Sequence, residues 1–197
     1  HKFCQQVSNY LYHNFDYRIN VNKIVPNKEI KYLSGKRDHA KTLDELKQEY
    51  DEVVICAGAY TSFLLPHLNI YPIKGYSISY HHDTEMPTTS ILDDDAKIVA
   101  SPFSNNVFRV AGTAELAGWN HDIRIDRIKP LRRWVRKNTF VNDSRPENWA
   151  CLRPMTPNMM PIVTKTKGVW VNSGAGHLGW TMGMALAEKV TNDIFKS

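Results

Sequence analysis

Long hydrophobic runs are missing from this 197-residue chain. No stretch approaches the roughly 18–20 consecutive apolar residues of a membrane-spanning helix, so these residues encode no helical span. The opening residues carry no signal-peptide pattern. They begin at His1, directly in an amphipathic stretch, which reads as a cut or processed end. Cysteine is scarce: Cys4, Cys56 and Cys151 are odd in number and lack any CxxC spacing. That argues against a disulfide framework, and a reducing cytoplasm is the expected compartment. No Cys or His pair sits at ligand spacing, and His81 and His82 are adjacent without a partner cluster, so structural metal is not expected. Repeats and low-complexity tracts are also missing. What remains is globular, with 42% apolar, 23% charged and 11% aromatic residues. The length allows one good core, or two small lobes sharing one.

A net charge of +5 raises the question of nucleic acid. The densest basic stretch is residues 129–137, KPLRRWVRK. Ile128, Leu131, Trp134 and Val135 recur there at helical spacing, so the cations fall largely on the opposite, solvated face. No recognisable nucleic-acid motif accompanies them, and no nucleic-acid partner is expected.

Periodicity then organises the chain. Phe3, Val7, Tyr10 and Leu11 form a helical stripe. Residues 17–21 and 24–25 read as short strands, 28–50 as a charged stretch with a turn at Gly35, and 53–58 as a strand buried on both faces. One or two helical turns fit residues 62–68. From 71 the pattern alternates: 71–80, 97–101 and 107–111 read as antiparallel strands with one wet face, separated by turns at 93–95 and 104–106. A basic helix is expected over 127–140, then a polar linker at 143–148. The fold expectation is α/β (α+β): a partial lobe over 1–70, an antiparallel β lobe with one helix inserted over 71–146, and a return to the first lobe over 147–197. Ligands in such folds lie in the crevice at the carboxyl ends of strands.

Residues 174–179, GAGHLG, spell G-x-G-x-x-G after an apolar strand and before a helix. Only 18 residues follow Gly179 in the sequence, too few for the second strand of a dinucleotide-binding unit. Gly174 and Gly176 permit positive φ and close backbone approach. The following helix would offer free N–H groups at 178–181 with a partial positive charge, a cradle for an anion or electron-rich oxygen. A glycine-softened helix start packed on a strand explains the same spacing.

Three further stretches precede this loop: VVICAGAYT at 53–61, YPIKGYSISY at 71–80 and WACLRPMTPNMMPI at 149–162. With VWVNSGAGHLGWTMG they resemble the second half of FAD-dependent D-amino-acid dehydrogenases, within the D-amino-acid oxidase family of flavoproteins. The resemblance spans nearly the whole chain, and LRP-x-T-P and LGWTM are its most specific parts. The G-x-G-x-x-G that holds the FAD pyrophosphate in that family lies near its N-terminus and is absent here.

The resemblance implies FAD as cofactor and a D-amino acid such as D-alanine as substrate. Hydride leaves Cα for the flavin, and the imine hydrolyses to a 2-oxo acid and ammonia. It implies that Gly174, Gly176, His177, Leu178, Gly179, Trp180 and Thr181 cradle the isoalloxazine end of FAD. His177 stands where the family often has threonine, and Ala175 where it has histidine, so His177 reads as a bystander within that loop. Val21 resembles the valine at the adenine edge, and Ala57 with Gly58 the turn near ribose and pyrophosphate; core packing is the alternative for each. Arg153 matches the arginine that holds the substrate carboxylate, with a surface ion pair as its alternative. Tyr76 and Tyr80 are candidates for the substrate side, against plain cross-strand packing. No catalytic acid–base pair is expected. The implied partners are the amino acid and a separate chain carrying the N-terminal FAD-binding half. Peripheral attachment at the inner face of a bacterial membrane, for electron transfer, is the alternative to a purely cytoplasmic protein. Two other classes stay open: a non-enzymatic substrate-lobe module lacking its FAD-binding half, and a basic nucleic-acid-binding domain.

Overall fold

The computed structural model describes residues 2–14, 42–81, 85–103 and 106–196. Val21, the strands expected at 17–21 and 24–25, the turn at Gly35 and the tip at 104–105 lie outside the described residues. Two units result, His1–Asp51 and Glu52–Ser197. In the first, helix α1 (Lys2–Asn14) carries the expected stripe, with Phe3, Val7 and Tyr10 exposed. Helix α2 (Leu43–Glu49) comes from the stretch read as charged connection. Thr42 accepts the Glu45 amide at 3.2 Å while the Glu45 carboxylate takes the Thr42 amide at 2.6 Å. That reciprocal cap satisfies two N-terminal donors and lets a short polar sequence start a helix.

The second unit holds two sheets. Strand β1 (Val54–Ile55) is followed by a 3-10 turn (Gly58–Tyr60), helix α3 (Thr61–Leu64) and a second 3-10 turn (Pro66–Leu68). Next come β2 (Tyr71–His81), β3 (Ile91–Asp93), β4 (Ile98–Phe103), β5 (Val107–Glu115) and α4 (Ile125–Asn138). The chain closes with β6 (Glu147–Met155), β7 (Ile162–Thr166), β8 (Val169–Ser173) and α5 (Gly179–Lys196). The larger sheet has the order β3-β4-β5-β2-β6, and the smaller β1-β8-β7, in which β1 runs parallel to β8. Helix α4 lays Ile128, Leu131, Trp134 and Val135 onto Tyr76, Ile78, Tyr80, Ile98, Phe108 and Val110, which forms the main core. Its cations face outward, as its helical period requires.

Three expectations change. The strand at 53–58 is only two residues long, with Ile55 buried and Val54 exposed, and among the described residues β8 is its one neighbour. Strand β2 has no wet face over Lys74–Tyr80: Ser77 and Ser79 are buried with their neighbours there, since β2 is central between β5 and β6 and Arg109 reaches over to Ser79 Oγ at 3.1 Å. The sheets also divide the chain later than residue 147. Strand β6 pairs with β2 along its whole length, so the crossing to the small sheet falls after Met155.

Candidate functional site

Strands β1 and β8 are parallel neighbours, so the loops after Ile55 and after Ser173 emerge at the same sheet end, where ligands of open α/β sheets bind. Ser173 laces the two loops together. Its buried Oγ accepts from Thr61 Oγ1 at 3.1 Å and donates to the Gly58 carbonyl at 3.0 Å. Gly58 has φ +56, follows Ala57, and has open space where a Cβ would stand. Its 3-10 turn packs against β6.

Gly174 and Gly176 take φ +76 and +57, which only glycine adopts without strain. The close approach they allow is to β6. A Cβ on Gly174 would lie 2.7 Å from Thr156 Cγ2, and one on Gly176 2.6 Å from Met155 Sδ. The Gly176 amide also donates to the Pro154 carbonyl at 2.9 Å. The loop is thereby anchored at Pro154, the residue next to Arg153. Past it, Leu178 donates to the Ala175 carbonyl and Met182 to that of Leu178, each at 2.9 Å. The amides of Gly179 and Thr181 come ahead of that helical bond, at the positive end of α5, whose first turn has no acidic residue. His177, Leu178, Gly179, Trp180 and Thr181 are all exposed there.

Arg153 lies on β6, half-buried, with its guanidinium over the Cα of Gly75 on β2. Its Nη1 donates to the Thr113 carbonyl at 3.2 Å. Among the described residues no carboxylate pairs with it, whereas Arg124 meets Glu115 and Asp126, and Arg132 and Arg136 meet Asp143. Burial pulls the Arg153 pKa below the usual guanidinium value, against a smaller upward influence of the Cys151 thiol. A cation held partly out of water without a counter-charge is a receptor for an anion.

Tyr76 goes elsewhere. Successive strand side chains alternate, so it points to the face of β2 opposite Gly75 and Arg153. It is 1% exposed there, and its hydroxyl donates to Glu115 Oε2 at 2.5 Å. Buried Lys74 donates to Asn120 Oδ1 and the Asp122 carbonyl beside the same carboxylate. The Tyr76 hydrogen bond comes first among the influences that hold Glu115 below the usual carboxylate range. Tyr80 is likewise core, donating to Asp143 Oδ1 at 2.6 Å. The site thus joins Ala57, Gly58, 174–181 and Arg153, and leaves Tyr76 out. Gly75 and Thr113 belong beside Arg153 and were not singled out from sequence, although a glycine inside an alternating strand signals a close approach.

The chain has known relatives. The chain matches the DAO family, FAD dependent oxidoreductase, over residues 20–192. It is 46% identical over 160 residues to D-amino acid dehydrogenase 3 of Mesorhizobium japonicum, an alignment covering 73% of this chain and 39% of that protein. It is 31% identical over 214 residues to D-amino acid dehydrogenase of Vibrio vulnificus, covering 97% of this chain and 48% of the relative. The chain therefore spans less than half the length of these relatives. In fold it is similar to iminodiacetate oxidase from Chelativorans sp. BNC1, with TM-score 0.66 at 20% identity over 75% of this chain and 43% of that one. With a family match over most of its length and a mixed α/β fold shared with a solved oxidase, the chain belongs to the DAO family of FAD-dependent oxidoreductases.

Proposed function

We propose that this chain is the substrate-binding and flavin-ring portion of an FAD-dependent dehydrogenase that oxidises D-amino acids to 2-oxo acids and ammonia. The observation that carries the reading is Arg153, a half-buried guanidinium that donates to a backbone carbonyl and, among the described residues, pairs with no carboxylate. A planar guanidinium holds a carboxylate through two parallel hydrogen bonds, which fixes the direction of the Cα–H. The names of the relatives supply the D-amino acid.

The residues present fit FAD. Gly58 offers a left-handed turn with open space beside it, and the amides of Gly179 and Thr181 offer positive charge near the same sheet end. In this reading Ala57 and Gly58 lie along the ribose and phosphates, while residues 174–181 border the ring. When bound, FAD supplies the hydride acceptor for oxidation of the amino-acid Cα. The chain's own residues position and shield the substrate. Since the relatives are more than twice as long as the matched region, the remaining grip on FAD comes from a segment outside this sequence, in the same polypeptide or in a separate chain. The free cysteines fit a reducing cytoplasm, and a dehydrogenase peripheral on the inner face of a bacterial membrane fits equally.

The test is Arg153→Lys in a flavin-complete protein, where lysine keeps the charge and loses the fork. The KM for D-alanine should rise about tenfold or more, as the loss of roughly 1.5–3 kcal/mol of charge-assisted bonding requires. An unchanged KM would remove Arg153 from the site. A non-catalytic substrate-lobe module is the competing reading, favoured by the partial span; such a module stays colourless when offered FAD together with the complementary half.

A further inference from the structure

The groups that lie against the Arg153 guanidinium come from the strands β2 and β5. A Cβ on Gly75 would stand 2.2 Å from the Arg153 Cζ and Nη2 and 2.6 Å from Nη1. The guanidinium therefore rests on the bare Cα of Gly75, in space no other residue would leave. On strand β5 the register against β2 slips. Lys74 faces Glu115 and Tyr76 faces Gly112, so Thr113 and Ala114 together oppose Gly75. This is a β-bulge, a device that turns one peptide out of the ladder. Thr113 occupies it at φ +60, a left-handed conformation that is an outlier for a β-branched residue and persists only where its surroundings enforce it. The turned peptide aims its carbonyl at Arg153 Nη1. The Thr113 hydroxyl is buried at the same place and has no partner among the described residues.

We infer that Gly75 and the Thr113 bulge are positioning residues that preset the Arg153 guanidinium for carboxylate recognition, an inference that rests on the carboxylate-binding reading of Arg153. With Nη1 held by Thr113, the edge formed by Nε and Nη2, which has no hydrogen-bond partner among the described residues, is left to a bidentate ligand. Arginine is among the side chains with most rotamer freedom to lose on ordering. Fixing it in advance removes that cost from the binding step.

Gly75→Ala isolates the effect. Its φ is not in the left-handed region, and the atoms a methyl would meet are the far end of a flexible side chain. The sheet can stay and the guanidinium must move. The experiment uses the full chain labelled with 15N-arginine, its Arg153 Nε–H resonance assigned by loss in Arg153→Lys, and D-alanine as the probe. In the unmutated chain that resonance should be distinct from those of solvated arginines and should shift on titration. In Gly75→Ala, at unchanged circular dichroism, it should join the solvated set, and D-alanine affinity should fall about tenfold. Thr113→Pro, whose ring locks φ near about −65° and so cannot keep the left-handed bulge, should move the same resonance and serves as the second variant if Gly75→Ala does not fold. An Arg153 resonance that neither variant displaces overturns the inference, even where D-alanine binds too weakly to titrate. Wild-type affinity in Gly75→Ala, with affinity lost in Arg153→Lys, overturns the positioning role and leaves the Arg153 reading intact. Equal affinity in Arg153→Lys overturns both.

Discussion

Gly58 and Gly174 both sit at positive φ, +56 and +76, yet the space beside them differs. Around Gly58 it is empty, whereas at Gly174 it is filled by Thr156. Gly58→Ala should therefore cost only the left-handed penalty, about 1–2 kcal/mol. Gly174→Ala adds a clash and should be the more destabilising of the two in urea titrations of the same chain. Equal losses would mean that Thr156 yields without cost. The pair also shows how far single residues were legible. That both need glycine follows from their place in turns, but which one faces a void and which faces β6 depends on a strand more than 15 positions away in sequence from either loop residue. Tyr76 is the opposite case. Its strand was evident, but the face it takes is decided by where α4 packs, which no local pattern records.

Among the elements, α4 is joined to the segment leading into β6 chiefly through Asp143. This carboxylate accepts from Tyr80, Arg132 and Arg136, and Arg132 also donates to its backbone carbonyl. Burial alone would raise its pKa, but the Arg132, Tyr80 and Arg136 contacts hold it below the usual carboxylate range. Burial, followed by the Asp143 hydrogen bond, pushes the Tyr80 phenol upward. A carboxylate whose folded pKa is depressed contributes stability that is complete above its unfolded value and fades as the pH falls through the folded one. Asp143→Asn should accordingly lose about 2 kcal/mol at neutral pH. The difference from wild type should shrink below about pH 4. Parallel stability curves down to pH 2.5, roughly, would mean that the network carries no linked proton. The helix itself was legible from its 3.6-residue period, and β2, β4 and β5 from alternation. Helix α2 was not, because a capping box in a wholly polar segment offers no apolar stripe to detect. The two-residue β1 was overestimated because a β-branched run says nothing of how many neighbours it will find.

For the molecule as a whole, the matched length sets the expectation. Less than half of each relative corresponds to this chain, and α5 leaves large apolar side chains in solvent: Trp180 is 74% exposed, Met184 73% and Phe195 85%. Surfaces of this kind mark contact with other polypeptide, so the purified chain should self-associate in a concentration-dependent way, measurable by sedimentation. A strictly monomeric chain at high concentration would contradict this. Alone, the chain offers FAD one left-handed turn and a few amides against the entropy of fixing a long cofactor. Its affinity should be micromolar at best, on the order of −8 kcal/mol, by fluorescence titration. A nanomolar endpoint would show that the grip on FAD is already complete here. The central claim, that these residues form the substrate side of a D-amino-acid-oxidising flavoenzyme, is tested most directly in a chimera. This chain replaces the matching segment of the Mesorhizobium japonicum relative, and the visible flavin absorption band is followed without oxygen as D-alanine and then L-alanine are added. The account predicts a flavin-loaded chimera bleached by the D-isomer, with bleaching abolished or strongly slowed by Arg153→Lys. A chimera that holds its flavin and is bleached by no D-amino acid, or is bleached equally with Arg153 replaced, would contradict it.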